Sequence, residues 1–249
     1  MLALAVLLAP SLAHAYRRST TTSDPAVPLF WSRREHSFSL AAHTSPVPDA
    51  ELRAAIGRSF RTWSEVGCTD VRVALGADTR AVRTNFDGGM HDGESLLVFR
   101  DAWPIELSET LAITTVVFRP TTGEILDADV DFDAEYHTWS ALDPPTGDDV
   151  ENTLTHELGH YLGFAHVGDV EATMFYYAGA AETLKRDLSA DDERAVCEVY
   201  PRGAATPVQR GSRPALTNGC AIGAGSTSLG GALLALAAVW LLASRRVPR

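Results

Sequence analysis

Three histidines and one glutamate carry the chemistry open to this sequence. In His156-Glu157-Leu-Gly-His160-Tyr-Leu-Gly163-Phe-Ala-His166 the first two histidines stand four residues apart. On a helix that spacing puts both rings on one face, close enough to share one ion. Gly163 lets the chain leave the helix through positive φ without a Cβ penalty, and the turn brings His166 back as a third nitrogen donor. Three protein ligands leave one position for water, which separates a catalytic zinc from a closed structural one. Glu157 needs no place among the ligands, so its carboxylate can act on that water as a general base.

The glycine and the third histidine follow in register, and Met174 comes shortly after them in Glu171-Ala-Thr-Met-Phe-Tyr-Tyr177. The full pattern resembles the metzincin metalloproteases, whose signature is HExxHxxGxxH followed by a methionine turn. On that resemblance Met174 forms an apolar floor beneath the zinc without binding it. Phe175, Tyr176 and Tyr177 then line the pocket for the side chain after the cut, with core packing the other reading for each.

Periodicity places the elements that must hold these groups. Leu52, Ile56, Phe60 and Trp63 recur at helical spacing behind Asp49, which reads as a cap. Asp148 or Asp149 caps the histidine helix, which buries Val150, Leu154, Leu158 and Leu162 on the face away from the ligands. Ser189 and Asp192 make a capping-box-like start to a last helix carrying Ala195, Val196 and Val199. Strands are expected at Phe38–Leu40, Val71–Val73, Leu111–Phe118 and Ile125–Phe132, the last two joined by a turn at residues 120–123. Strands with segregated helices indicate an α+β fold.

With these elements the resemblance narrows to the matrixins. Phe60-Arg-Thr-Trp63-Ser-Glu-Val66 looks like their first helix, and the strand pair at 111–118 and 127–133 like their edge strand and its neighbour. Leu188-Ser-Ala-Asp-Asp192 leading to Val199-Tyr200 is similar to their closing helix. The likeness implies a metzincin fold: a twisted, mixed five-stranded sheet with three helices and a zinc cleft. A polypeptide substrate would lie extended along residues 111–118. Departures are equally plain. No cysteine-switch motif precedes the domain, and His36, His43, His91 and His137 do not make the regular set that holds a second zinc. His91-Asp92-Gly93 lies in the loop where that set would be, whereas His36, His43 and His137 read as surface residues. Asp129, Asp131 and Asp133 have two readings, solvated carboxylates on one strand face or ligands for Ca2+.

Of the 249 residues, 1–15 read as a secretory signal ending in Ala13-His14-Ala15, and 16–26 as a loose polar leader. The protease domain is expected over 27–200, followed by a Pro/Gly/Ser-rich linker at 201–219. In the 220–249 tail, Cys220, an apolar stretch ending at Ala243 and the pair Arg245-Arg246 resemble myxobacterial C-terminal sorting signals, with processing near Cys220. A plain membrane anchor is the alternative. That leaves Cys68 and Cys197 as an even pair suited to a disulfide in an exported domain. A net charge of −11 argues against a nucleic-acid partner, since no basic patch exists to neutralise phosphates. The reading is therefore a secreted, surface-tethered, monomeric zinc endopeptidase. Its rival is a catalytically silent surface module that keeps the protease fold to bind a partner.

Overall fold

The computed structural model of the chain describes residues 16–88, 91–207 and 236–243. The elements run β1 (Arg17–Arg18), β2 (Glu35–Leu40), α1 (Asp49–Ser64), β3 (Arg72–Asp78), β4 (Ser95–Arg100), β5 (Thr110–Phe118) and β6 (Ile125–Asp133). They continue with β7 (Trp139–Ser140), β8 (Asp148–Asp149), α2 (Val150–Tyr161), β9 (Phe164–Ala165), α3 (Ala190–Val199) and β10 (Leu236–Ala243). Five strands in the order β3-β2-β4-β6-β5 form the mixed sheet of the domain, and β10 adds a sixth beside β5. Its first three pairings are parallel and β5 runs antiparallel to β6. With three helices, this is the α+β architecture that the patterning implies.

The apolar stripe of α1 is buried as its spacing requires, with Leu52, Ile56, Phe60 and Trp63 all inside. Pro48 takes the N-cap position rather than Asp49, which begins the helix and pairs with Arg53 at 2.9 Å. A carboxylate in the first turn still opposes the helix dipole from there. Helix α2 is buried along its whole length, beyond the expected stripe of Val150, Leu154 and Leu158. It lies between α1 and β5. Tyr161 packs its ring 4.7 Å from Phe38, and the Trp63 indole donates to the Thr155 carbonyl at 2.9 Å. On the far side, Cys68 and Cys197 are joined as a disulfide with their Cα atoms 5.3 Å apart, tying the chain beyond α1 to α3.

Four expectations change. The segment 16–26, expected as a loose leader, pairs through β1 with β9 and leads into the buried Leu29 and Trp31. The aspartates of β6 are not solvated: Asp127, Asp129, Asp131 and Asp133 are all buried. The loop before β4 folds over them and supplies donors, so both faces of β6 are covered. Asn85 N and Leu96 N reach Asp129 at 2.8 and 2.9 Å, Asn85 Nδ2 reaches Asp127 at 3.1 Å, and Arg100 reaches Asp131 at 2.6 Å. Of the histidines read as superficial only His43 is exposed. His36 is buried against the Tyr161 hydroxyl at 3.0 Å, and His137 is enclosed between Asp148 Oδ2 at 3.0 Å and the Ser108 carbonyl at 3.2 Å.

The fourth concerns the tail. Leu236–Ala243, inside the apolar stretch of the expected sorting signal, is a strand that pairs antiparallel with β5, Leu236 opposite Phe118 and Leu241 opposite Ile113. An uncharged apolar run can satisfy its backbone within a helix or on an unfilled strand edge, and β5 offers such an edge. Among the described residues no helix is long and apolar enough to cross a membrane. The signal at 1–15, Cys220 and the arginine pair lie outside the described residues.

Two measurements test this architecture. Replacing both Cys68 and Cys197 with serine should lower unfolding stability by about 4–5 kcal/mol in a denaturant titration, because the bond closes a long loop; an unchanged midpoint would deny the bond a structural role. His137 supplies a pH signature. Burial works to lower its pKa, but the Asp148 carboxylate, then Asp133 and the Ser108 carbonyl, outweigh it and raise the pKa above the ordinary value. The protonated ring therefore stabilises the fold below about pH 6.5, and that contribution is lost as pH rises through the raised value. The melting temperature of His137→Gln should fall less steeply than the parent's across that interval.

Candidate metal centre

Asp149 accepts from Asn152 N at 2.7 Å and starts α2, as a side-chain cap should. One turn separates His156 from His160, and both are buried in full. Two glycines allow the surroundings to close on them. At Gly159 a Cβ would sit 2.1 Å from Met174 Sδ, so Met174 packs directly against the helix between the two histidines. Gly163 has φ +88°, and a Cβ there would stand 2.7 Å from the Leu29 carbonyl oxygen. The sharp turn and the close crossing of the N-terminal segment both demand glycine.

That turn delivers His166. Its Nε2 lies 3.1 Å from His156 Nε2 and 3.0 Å from His160 Nε2. Nδ1 of His156 donates to the Thr173 carbonyl at 2.6 Å, and Nδ1 of His160 to the Phe164 carbonyl at 2.9 Å. With a proton fixed on Nδ1, each of these rings presents an Nε2 lone pair inward. Burial first, then the neighbouring histidines, hold His156 and His160 far below the ordinary imidazole pKa. Burial and the Lys185 ammonium hold His166 at about 4. Three neutral imidazoles converging at this range repel through their lone pairs unless a cation lies among them. Nitrogens at about 2.0–2.1 Å from a tetrahedral zinc stand about 3.3 Å apart, close to the separations seen. These are the residues among those described whose ligand atoms gather as a set of three or more. Asp129, Asp131 and Asp133 do not gather in this way, their carboxylates being engaged by the loop, by Arg100 and by the 135–136 backbone.

Glu157 is also fully buried. Its Oε2 accepts from the Thr114 hydroxyl at 2.6 Å, while Oε1 is buried without a donor. Burial pushes its pKa to about 8 against the hydrogen bonds from Thr114, which favour the ionised form. A divalent cation nearby would act in the same sense as Thr114. A buried carboxylate oxygen with no protein donor fits a group kept for water beside a metal.

The pocket residues separate. Tyr176 is exposed, its ring 6.4 Å from that of His166, whereas Phe175 and Tyr177 are half-buried. Lys185 Nζ donates to the Tyr177 carbonyl at 2.7 Å and pairs with Glu182. A cavity of 440 Å³ between α1, the start of α2 and α3, lined by Arg58, Arg61, Glu151, Arg186 and Glu193 among others, contains none of the three aromatic residues.

Several supports were not legible as such in the sequence. Ser19 N donates to the Gly163 carbonyl at 2.9 Å, and Ser19 Oγ to the Phe164 carbonyl at 3.0 Å, the same oxygen that orients His160. Thr173, which orients His156, is held by Asp192 of the α3 capping box at 2.9 Å. Ser-x-x-Asp signals a helix start, but not that its carboxylate also steadies a metal ligand's partner.

Two imidazoles on a fully buried helix, a third delivered by the turn after it, and a buried carboxylate with one oxygen lacking a donor are the parts of a metal-dependent hydrolase site. Residues 30–201 match the family profile described as Matrixin. The chain belongs to the matrixin family, and that membership implies zinc at the histidine centre. It is 26% identical over 189 residues to "Metalloendoproteinase 2-MMP" of Arabidopsis thaliana, covering 75% of this chain and 46% of that protein. It is 26% identical over 172 residues to "Matrilysin" of Homo sapiens, covering 68% and 58%. It is 24% identical over 171 residues to "Karilysin" of Tannerella forsythia, covering 68% and 33%. The matched region is thus less than two thirds of these relatives' own lengths.

If Ser19 steadies the carbonyl that orients His160, Ser19→Ala should weaken zinc binding by about tenfold in competition with a chromophoric chelator, the low end for losing a partner behind a metal ligand. An unchanged affinity would restrict Ser19 to holding the N-terminal segment.

Proposed function

We propose that the chain is a zinc-dependent endopeptidase, exported and held at the cell surface, that cuts extended polypeptide. The observation that carries this is the pairing of the histidine centre with Glu157, whose Oε1 is buried without a donor. A site that only stored metal would gain nothing from sealing an uncompensated carboxylate oxygen beside it.

His156, His160 and His166 would hold zinc through Nε2. When bound, zinc supplies a Lewis acid that makes a coordinated water acidic and polarises the scissile carbonyl. Glu157 Oε1 takes the proton from the attacking water as the new C–O bond forms, then returns it to the departing amine nitrogen as the C–N bond breaks. Met174 seals the apolar side of the centre beneath α2. Tyr176, exposed beside His166, is the aromatic placed to meet substrate; Phe175 and Tyr177 shape the wall behind it. The substrate backbone lies along β5, a mode supported by the way that strand's outer edge already accepts an extended segment in antiparallel register.

Export and tethering draw on the apolar N-terminal run, the Cys220-to-arginine tail and the disulfide, which persists in oxidising compartments. Calcium has less support, because the β6 carboxylates are already engaged.

The test is Glu157→Gln in the full chain, assayed by mass spectrometry against a mixed peptide library. Zinc content should match the parent while hydrolysis falls by about 10³-fold, within the range for a positioned general base. Parent activity should vanish under 1,10-phenanthroline and return with added zinc. A parent protein that holds zinc and cleaves nothing would leave the binding-module reading in its place.

A further inference from the structure

We propose that Thr114 is the positioning residue of the Glu157 carboxylate: it fixes Oε2 and thereby assigns the proton transfer to Oε1. This rests on the peptidase reading and adds a part to it. Thr114 lies in β5 and is buried completely, in a strand whose other residues from Leu111 to Phe118 are apolar except Thr115. A hydroxyl in such a place costs stability unless it is hydrogen-bonded, and valine would fill the same volume in a β-strand.

The Thr114 hydroxyl has one proton and two acceptors in reach, both on Glu157: the carboxylate Oε2 at 2.6 Å and the backbone carbonyl at 3.2 Å. The carboxyl oxygen is the nearer by 0.6 Å, so the hydroxyl proton goes to Oε2. Among the described residues no other side chain donates to this carboxylate and Oε1 has no donor. The Thr114 backbone favours the ionised form as well, so the hydroxyl is the part of Thr114 that a valine removes. Without Thr114 the carboxylate could turn about its terminal torsion, which is broad and roughly two-fold for glutamate, and present either oxygen or neither. With Thr114, one oxygen stays hydrogen-bonded through the cycle. The other breaks the water O–H bond, carries the proton, and gives it to the leaving nitrogen. The hydroxyl also ties the base on α2 to β5, so strand and base form one rigid unit.

The experiment uses the full chain and a fluorogenic peptide that the parent cleaves, with Thr114→Val, Thr114→Ala and Thr114→Ser. Thr114→Val and Thr114→Ala should lower kcat by about 10- to 100-fold, the usual effect of removing an orienting partner, with KM within about threefold and zinc content unchanged. Thr114→Ser keeps the hydroxyl and should retain kcat within about threefold of the parent. Retained kcat in Thr114→Val, or equal losses in the serine and valine variants, overturns the assignment while leaving the peptidase reading intact; an inactive parent overturns that reading instead. A readout independent of turnover is a double-mutant cycle of Thr114→Val with Glu157→Gln on the melting temperature of zinc-free protein. Non-additive shifts are expected from the direct contact, and additive ones would refute it.

Discussion

Three imidazole nitrogens facing one another at about 3 Å in a dehydrated interior form an arrangement that no chain adopts for packing alone. Each ring must be kept neutral, held in one tautomer and prevented from rotating away. The structure meets those demands outward from α2. Thr173 and Phe164 supply the carbonyls that hold Nδ1–H on His156 and His160. Asp192 and Ser19, from opposite ends of the domain, position those carbonyls. Gly159 and Gly163 let Met174 and Leu29 approach the helix and its turn at distances a Cβ would forbid. Burial of α2 on every side follows from this, since a half-exposed helix would leave its ligands free to hydrate and reorient.

The carboxylates of β6 solve a different problem with the same economy. A loop running back over a sheet brings backbone N–H groups that need acceptors. Here the aspartates provide them, reaching Asn85 and Leu96 amides directly, with Arg100 balancing the charge of Asp131. Hydrogen bonds anchor the loop in this region. Ionised groups are tolerated in the interior when donors and a counter-charge are built around them, and burial nevertheless raises Asp129 to about 7 and Asp131 to about 6.

The difference between what was legible and what was not has a physical origin. Helical spacing, a glycine break and side-chain caps are local, so α1, α2 and α3, the histidine triad and Glu157 could be read directly from residue order. The alternation of Asp127, Asp129 and Asp131 with Ala128, Val130 and Phe132 is equally local, and it marked a strand correctly. Alternation does not reveal what covers the polar face, and the loop over β6 turned solvated aspartates into buried ones. His36 and His137 misled for the same reason, their partners Tyr161, Asp148 and Ser108 being distant in sequence or in another element. Residues 16–26 lack periodicity, and their place is set by the turn at Gly163, which only the folded chain brings near. Thr114 reads as one more β-branched strand residue until α2 lies beside it.

Strand β5 links the histidine centre to the edge of the sheet. It is the last of the five core strands, it carries the hydroxyl that reaches Glu157, and its outer edge offers backbone hydrogen bonds to an extended chain. In this structure that edge is paired from Thr110 to Phe118 with residues 236–243, Trp240 standing opposite Thr114. An edge strand has one set of outward N–H and C=O groups, so any second extended chain would have to displace residues 236–243 to pair there. Backbone pairing supplies binding that is indifferent to sequence. On the proposed peptidase reading, selectivity would then rest with the side chains beside the histidines, where Tyr176 lies open to solvent and Lys185 pairs with Glu182.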